Sequence, residues 1–158
     1  MRVGWGADAH RFGGPGPTRL GGVVVDEGRG VVATSDGDVV AHAAADALLG
    51  AAALGDLGSL FPSEEPRWRG ADSMALLAEV VARVRAAGLG VASLDATVVA
   101  ERVRVAPHRE AIRRGLAAVL GLEPGAVSVK ATSTDGLGFL GRDEGLAAVV
   151  VAVLEPRP

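Results

Sequence analysis

The sequence predicts an α/β (α+β) fold in which a mixed β-sheet carries its helices on one face. Strand-like and helix-like segments follow one another in an order that suits such a sheet. Residues 39–54 are alanine-rich and apolar nearly all round, which is typical of a well-buried helix. Residues 147–154 are all apolar, as in a strand covered on both faces. The length of 158 residues fits one domain over residues 1–158.

The start of the chain is expected to form a strand and a hairpin. Residues 2–12 have the pattern of a first strand. Two short apolar runs follow, at 20–25 and 30–33, with Asp26-Glu27-Gly28 between them. This pattern predicts a hairpin whose turn lies at those three residues.

Two helices are predicted next. Ser35-Asp36-Gly37-Asp38 offers several N-caps for the helix 39–54. Residues 56–70 contain two prolines and predict a loop. Asp72 or Ser73 caps the second helix. Its apolar residues recur at helical spacing at Met74, Leu77, Val81 and Val84.

The second half is expected to supply the remaining strands and one more helix. Residues 89–100 predict a strand, and Pro107 starts a third helix that runs to Leu120. Residues 127–131 predict another strand. Residues 144–154 form the last one.

The composition excludes several classes of function. Hydrophobic residues make up 49% of the chain and aromatic residues 3%, so the core consists mainly of Ala, Val and Leu. The net charge is −3 without a basic block, so no nucleic-acid partner is expected. The absence of cysteine excludes disulfides and thiolate catalysis. Apolar runs too short for a bilayer and a start unlike a signal peptide predict no membrane association and a cytoplasmic location.

Two of the three histidines lie beside carboxylates, in the motifs around Asp8 and Asp38. In an extended strand Asp8 and His10 project from the same face. The helix that follows Asp38 can bring His42 to them. A carboxylate with two imidazoles is a common ligand set for a catalytic divalent metal with an open position. We therefore predict one metal ion on Asp8, His10 and His42; the alternative is that the first two are exposed strand residues.

Two further carboxylates share a helix face with His42. Asp38, His42 and Asp46 are spaced i, i+4 and i+8. Asp38 or Asp46 is therefore a candidate partner that orients an imidazole behind the metal. For Asp38 alone, an N-terminal helix carboxylate favoured by the macrodipole is the preferred interpretation.

Further motifs extend along nearly the whole chain. They are Asp8-Ala9-His10-Arg11-Phe12, Ser35-Asp36-Gly37-Asp38, Leu48-Leu49-Gly50-Ala51-Ala52-Ala53-Leu54-Gly55-Asp56-Leu57-Gly58, Phe61-Pro62, Gly70-Ala71-Asp72-Ser73, Pro107-His108, Val129-Lys130-Ala131-Thr132-Ser133-Thr134-Asp135, Leu137-Gly138-Phe139, Gly141-Arg142 and Glu144-Gly145. As an ordered set they resemble the 2-C-methyl-D-erythritol 2,4-cyclodiphosphate synthases of the non-mevalonate isoprenoid pathway.

The resemblance implies a metal-assisted cyclisation. The 2-phosphate of 4-diphosphocytidyl-2-C-methyl-D-erythritol 2-phosphate attacks the outer phosphorus of the same molecule's diphosphate and expels CMP, so no protein nucleophile is needed. The resemblance implies Zn²⁺ or a similar ion on Asp8, His10 and His42. A second ion, Mg²⁺ or Mn²⁺, would bridge the phosphates and be reached by Asp135. The protein would supply positioning and charge stabilisation.

The resemblance also assigns substrate contacts. Thr34 and Ser133 stand where the transferring phosphate would be stabilised, and residues 100–106 match a cytosine-binding loop. The implied substrate-contacting residues are Asp8, His10, Thr34, Ser35, Asp56, Gly58, Ala100, Arg104, Val105, Ala106, Thr132, Ser133, Asp135, Phe139 and Arg142. Taken singly, Ser35 is also explained as a helix cap and the threonines as ordinary strand-end residues.

The chain departs from the family pattern at a few positions. The family usually has histidine where Thr34 stands and aspartate where Ser63 stands. A proline–lysine pair is usual where Val103-Arg104 stand, and glutamate is frequent at Asp135. These departures bear on rate and nucleotide affinity rather than on the fold.

Two other functions stay open at the level of sequence. Thr34 and Ser63 suggest a catalytically impaired trimeric paralogue that binds a nucleotide or isoprenoid diphosphate. A divalent-metal phosphoesterase using the same three ligands is the other. It is disfavoured because further His and Asp ligands for a two-metal centre are lacking.

The last strand and the resemblance together predict a homotrimer. If helices cover one face of the sheet, the other face of residues 147–154 would leave apolar side chains in water. Three sheets packed around a common axis would bury them, as the resemblance implies. Phe139, Arg142 and Glu144 would then approach that axis, and the nucleotide end of each site would come from a neighbouring subunit.

Overall fold

The structure is a computed structural model and describes residues 1–157. The strands are β1 (Arg2–Gly14), β2 (Thr18–Leu20), β3 (Val23–Asp26), β4 (Gly30–Val31), β5 (Leu89–Val99), β6 (Val127–Thr132) and β7 (Gly145–Pro156). The helices are α1 (Val39–Ala52), α2 (Leu57–Leu60), α3 (Ser73–Ala86), α4 (Arg109–Leu120) and α5 (Gly138–Gly141). Within this described part of the chain, every helix is too short or too polar to cross a membrane.

The main sheet has five strands in the order β4–β1–β7–β5–β6. The central β7 runs antiparallel to β1 and to β5, while β6 runs parallel to β5. The parallel pair is joined through α4, as a parallel connection requires a long crossover. The predicted mixed α/β sheet is confirmed.

The helices cover one face of this sheet, as predicted. α1 packs against β1 and β7, while α3 and α4 pack against β5 and β6. Alternate side chains of β7 are completely buried beneath the helices: Leu146, Ala148, Val150, Ala152 and Leu154. The intervening side chains of β7 point to the other face and are partly exposed. The last strand is therefore apolar on both faces, although the helices of this chain cover only one.

The predicted hairpin is wrong in its pairing. β2 pairs with β3 across a turn at Gly21-Gly22, so the hairpin lies earlier than expected. β4, which was expected to pair with the run 20–25, pairs instead with the end of β1. Gly21 and Gly22 have φ of 54° and 80°, a conformation that glycine adopts readily. The glycine pair therefore turns the chain before Asp26-Glu27-Gly28 is reached.

The other elements shift at their ends. The first helix stops at Ala52 because Ala53 takes a left-handed backbone conformation, with φ of 58°. The predicted loop 56–70 contains α2 and a 3₁₀ turn at Pro66–Trp68. The third helix begins as a 3₁₀ turn at Ala106–His108, and α5 was not predicted.

β1 and α1 approach each other through glycine. Gly4 and Gly6 are buried on the face of β1 that meets α1. A Cβ atom on Gly4 would lie 1.8 Å from the carbonyl oxygen of Ala47, and one on Gly6 would lie 2.1 Å from that of Ala43. Only glycine allows the two backbones to lie this close. The next residue of β1 on the same face is Asp8.

We predict that Gly6→Ala destabilises the protein by about 3 kcal/mol, the upper end for overpacking, because the new methyl group meets backbone atoms. Gly50→Ala, on the exposed side of α1, is the matched control. A Cβ there meets no atom within 4 Å, and it should stabilise the helix by about 0.5–1 kcal/mol. Urea unfolding measures both free energies. A Gly6→Ala variant as stable as the parent would contradict the close contact.

Candidate metal centre and its pocket

Asp8, His10 and His42 converge between β1 and α1. Asp8 and His10 stand two residues apart on β1, and His42 lies in the first turn of α1. Asp8 Oδ2 lies 2.8 Å from His42 Nδ1 and 3.1 Å from His10 Nε2. The two imidazole nitrogens are 3.3 Å apart. The structure thus brings together the three side chains that the sequence pattern placed at one site.

These three atoms fit a divalent metal. Ligand bonds of about 2.0–2.1 Å in a tetrahedral zinc site put neighbouring ligand atoms roughly 3.3 Å apart. The separations here, 2.8 to 3.3 Å, are close to that value. One carboxylate oxygen and two imidazole nitrogens also leave a fourth position for a ligand, as catalytic sites do.

The cluster keeps Asp8 ionised. Burial by itself raises the pKa of Asp8. Hydrogen bonds with His10 and His42, together with electrostatic attraction to them, outweigh burial and hold that pKa well below its usual value. The carboxylate is therefore in the charged form that a metal ion requires.

The other ring nitrogen of His42 faces two hydroxyl groups. His42 Nε2 lies 2.8 Å from Ser73 Oγ and 3.1 Å from Ser35 Oγ. The Ser73 hydroxyl donates a short hydrogen bond to Asp36 Oδ1, and the Ser73 N–H donates to Asp36 Oδ2 at 3.2 Å. Ser73 was missed as a site residue at the level of sequence, where it stands only as a helix-cap candidate.

Asp38 is a buried helix cap. It accepts hydrogen bonds from the N–H groups of Val40 and Ala41 at the start of α1, at 3.1 and 3.0 Å. It also accepts from Gly21 and Gly22 in the hairpin turn, at 2.9 and 2.7 Å. Burial raises the pKa of Asp38, and these N–H groups oppose the rise. The structure supports the cap interpretation and corrects the alternative assignment of Asp38 as the partner of an imidazole.

Asp46 connects α1 to α2. Its Oδ1 accepts the N–H of Leu57, the first residue of α2, at 2.7 Å. Burial raises the pKa of Asp46, and the hydrogen bond from Leu57 opposes this. Asp46 lies near enough to Asp8 and His42 for their charges to affect one another. Its hydrogen bond, however, holds the pocket wall rather than an imidazole.

A cavity of about 360 Å³ opens beside the three candidate ligands Asp8, His10 and His42, and it is called the triad cavity below. Thr34, Ser35 and Gly58, three of the implied substrate contacts, line it. Its apolar wall contains Phe61 and Trp68, whose rings pack edge to face with centroids 4.9 Å apart. The indole Nε1 of Trp68 is buried and has no partner among residues 1–157. The wall therefore holds an unused hydrogen-bond donor that the sequence did not single out.

Asp56 lies at the start of this wall. It caps α2 by accepting hydrogen bonds from the Ser59 N–H at 2.7 Å and the Ser59 hydroxyl at 2.6 Å. The hydroxyl and then the N–H of Ser59 lower the pKa of Asp56. The carboxylate is exposed, and it is not among the residues that line the cavity.

The residues implied for the nucleotide form a second group, where β5 and β6 end. The N–H of Ala100 donates to the carbonyl oxygen of Thr132 at 3.1 Å, which joins the two strand ends. The Ser133 hydroxyl donates to Asp135 Oδ1 at 3.0 Å, and Asp135 is exposed. The loop after β5 carries the remaining members, Arg104, Val105 and Ala106.

The two groups lie apart within one chain. The strand register puts one row of residues across the sheet: Ala9, Ala147, Val99 and Thr132. Three strand spacings separate the ends of this row, which is roughly 14 Å. Among residues 1–157, those that line the triad cavity include no member of the second group.

Phe139 and Arg142 lie in and just after α5, beside the end of β1. Phe139 is 51% exposed. It lines a smaller cavity, about 250 Å³, together with His10, Arg11 and Glu144. Arg142 Nε donates to Glu144 Oε1 at 2.6 Å. Phe139 and Arg142 are therefore on the surface close to His10, and neither lines the triad cavity.

Comparison with known proteins gives matches over nearly the full chain. A family model described as the YgbB family matches residues 1–155. A 2-C-methyl-D-erythritol 2,4-cyclodiphosphate synthase from Pseudomonas aeruginosa (strain UCBPP-PA14) is 53% identical over 157 residues. That match covers 99% of this chain and 100% of the relative.

Solved structures agree with the family match. The bifunctional IspDF from Campylobacter jejuni is similar with a TM-score of 0.95 and 39% identity, over 98% of this chain and 42% of that longer chain. A CDP-bound form of 2C-methyl-D-erythritol-2,4-cyclodiphosphate synthase is similar with a TM-score of 0.88 and 34% identity, over 98% of this chain and 100% of the other. The chain belongs to the YgbB family, and the resemblance drawn from its motifs is confirmed.

We predict that Asp38→Ala destabilises the protein by about 2 kcal/mol or more, because it leaves buried N–H groups of α1 and of the hairpin turn without an acceptor. Asp72→Ala, which removes the exposed cap of α3, should cost only about 1 kcal/mol. Urea unfolding followed by circular dichroism gives both values. Equal losses in the two variants would contradict the structural role of Asp38.

Proposed function

We propose that this chain converts 4-diphosphocytidyl-2-C-methyl-D-erythritol 2-phosphate into 2-C-methyl-D-erythritol 2,4-cyclodiphosphate and CMP. The observation that carries the proposal is the convergence of Asp8, His10 and His42 beside a cavity that both polar and apolar side chains line. Such a site suits a substrate with phosphates at one end and a short carbon skeleton at the other. Membership of the YgbB family supports the same assignment.

We propose that Asp8, His10 and His42 hold Zn²⁺. When bound, the ion supplies a Lewis acid and a template for a diphosphate oxygen. The donor set, two imidazoles and one carboxylate, is one that zinc accepts readily. Asp135 would help to hold a second ion, Mg²⁺ or Mn²⁺, which would supply positive charge to the substrate's phosphates. An exposed carboxylate oxygen suits such a largely hydrated cation.

The proposed reaction needs positioning more than a protein nucleophile. An oxygen of the 2-phosphate attacks the outer phosphorus of the diphosphate, the bond from that phosphorus to the CMP oxygen breaks, and CMP leaves with the electron pair. Thr34 and Ser35 line the cavity beside the three candidate ligands, and in this proposal their hydroxyls would donate to phosphate oxygens. Phe61 and Trp68 would cover the carbon skeleton and exclude water.

The nucleotide end of the substrate is proposed to come from a second copy of the chain. Within one chain, Thr132 and its neighbours lie roughly 14 Å from the triad across the sheet, and β7 and β5 stand between. A neighbouring copy that brings its own residues 100–106, 132–133 and 135 to the triad cavity would complete the site.

The uncovered sheet face supports a homotrimer. Trp5 pairs with Val151 across β1 and β7, and the two are 64% and 37% exposed. Val3 is exposed on the same face, while Val149 and Val153 are partly exposed there. An apolar patch of this kind is rarely left in water. Three sheets around one axis would bury it and would also bring the two half-sites of adjacent chains together.

Two alternatives are tested together with this function. An impaired paralogue would bind a nucleotide or isoprenoid diphosphate without turnover, and Thr34 and Ser63 motivate it. A phosphoesterase would release inorganic phosphate. A cytoplasmic location stays a prediction from the sequence.

The proposed function predicts one pair of products. Incubation with the cytidine diphosphate substrate and divalent metal, followed by phosphorus NMR, should show the cyclic diphosphate and CMP. His42→Ala should lose both the bound metal and the turnover. Elemental analysis and circular dichroism check the metal content and the fold of that variant. Full metal occupancy in folded His42→Ala would contradict the metal assignment, and release of inorganic phosphate would favour the phosphoesterase.

We predict that Thr34→His raises turnover, because a charge-stabilising donor beside a transferring phosphate is worth about 10²–10³ in rate. The threonine hydroxyl already recovers part of this. Thr34→Val, which has a similar shape and no donor, should be slower than the parent. Steady-state rates at saturating substrate compare the turnover of the parent with that of the two variants. A histidine variant no faster than the parent would show that another group already fills this role.

Assembly is predicted to depend on Val151. Val151→Asp should dissociate the trimer and abolish turnover while the chain stays folded, because in one chain this side chain is partly in water. Val151→Thr should remain trimeric and active. Light scattering coupled to gel filtration measures the mass against 15.9 kDa for one chain. A monomeric parent that turns over the substrate would refute both the trimer and the shared site.

A further inference from the structure

We infer that Ser73 and Asp36 form a positioning pair that fixes which ring nitrogen of His42 faces the metal. The inference rests on the metal centre proposed above and concerns residues that do not line the triad cavity. His42 uses Nδ1 toward Asp8 and His10, and Nε2 toward Ser73, on the opposite side of the ring. The ring is therefore held from behind by the start of α3.

The direction of the hydrogen bonds decides the tautomer. A serine hydroxyl has one proton, and Ser73 donates it to Asp36 Oδ1. Toward His42 Nε2, 2.8 Å away, Ser73 can then offer only a lone pair. Nε2 must carry a hydrogen to bond to it. Nδ1 is in hydrogen-bond contact with Asp8 Oδ2 at 2.8 Å. With hydrogen fixed on Nε2, the Nδ1 lone pair is the one that would serve a metal ion bound in place of this contact.

Asp36 is itself held in place. Its Oδ2 accepts the Ser73 N–H at 3.2 Å, its Oδ1 accepts the Asp38 N–H at 3.2 Å, and its own N–H donates to the carbonyl oxygen of Ala71 at 3.0 Å. Ser73 is 1% exposed, so water does not compete for its hydroxyl. The acceptor behind His42 is thus part of the rigid junction between α1 and α3.

Ser35 contacts the same nitrogen but has a different position. Its hydroxyl lies 3.1 Å from His42 Nε2 and accepts the N–H of Gly37 at 3.2 Å. Ser35 lines the cavity, whereas Ser73 does not. The structure therefore assigns ligand contact to Ser35 and orientation of the ring to Ser73.

Removing the pair should weaken metal binding rather than the fold. Ser73→Ala keeps the N–H that donates to Asp36 and loses only the hydroxyl, so affinity for Zn²⁺ should fall by about 10–100-fold. Asp36→Asn keeps an uncharged acceptor, and its loss should be smaller. The double variant should be no weaker than Ser73→Ala, since both residues act through one hydrogen-bonded chain. Asp72→Ala, which weakens the same end of α3 without touching His42, should bind Zn²⁺ within about twofold of the parent because it leaves this chain intact.

The test has two readouts, neither of which is turnover. Zn²⁺ affinity is measured by competition with a chelator, and the ring nitrogen of His42 that binds the metal is read from imidazole ¹⁵N shifts in the Zn²⁺-loaded protein. We expect hydrogen on Nε2 and the metal on Nδ1 in the parent, and a mixture of the two ring orientations in Ser73→Ala, with the affinity order given above. Unchanged Zn²⁺ affinity in Ser73→Ala, or in Asp36→Asn should the former not fold, would overturn the inference. A Zn²⁺-loaded parent without hydrogen on Nε2 would overturn it as well.

The same experiment separates this inference from the proposed function. A parent that binds no Zn²⁺ would refute the metal centre and, with it, the positioning role toward a metal. A parent that binds Zn²⁺ through Asp8, His10 and His42 but is insensitive to Ser73 would leave the metal centre standing and refute the pair alone.

Discussion

The direct contact between the backbones of β1 and α1 is the constraint on which the rest of the structure depends. Gly4 and Gly6 let the helix lie against the strand at a distance that any side chain would prevent. The same strand face continues into Asp8 and His10, and the first turn of the helix supplies His42. A small relative displacement of strand and helix would therefore move a metal ligand, and well-packed backbones resist such a displacement.

Four aspartates around this contact have four different tasks. Asp8 faces the imidazoles and stays charged. Asp36 holds Ser73 behind the ring of His42, and Asp38 fastens the start of α1 to the hairpin turn. Asp46 fastens α1 to the wall of the cavity. Residue type alone does not separate these tasks, because a carboxylate accepts hydrogen bonds from whichever donors packing places around it.

The two groups of residues implied for the substrate lie apart within one chain. Its triad cavity and its strand-end group at Thr132 are separated by three strand spacings across the sheet. Its outer sheet face presents apolar side chains at Trp5 and Val151. An assembly of several chains around the apolar face would bury that face and would bring the two groups of residues from neighbouring chains together. Hydrophobic burial and completion of the active site are therefore expected to be coupled in this protein.

The sequence by itself determined the local geometry: the shared face of Asp8 and His10, the cap at Asp38, the apolar alternation of β7, and the motifs that identify the family. These follow from fixed strand and helix periods and from capping chemistry. The tertiary structure alone decided the pairing of β4 with β1 and the contact of Ser73 with His42, whose positions are 31 residues apart. It also decided the distance across the sheet between the triad cavity and the strand-end group at Thr132. Such features depend on which elements pack together, and no local spacing encodes that choice.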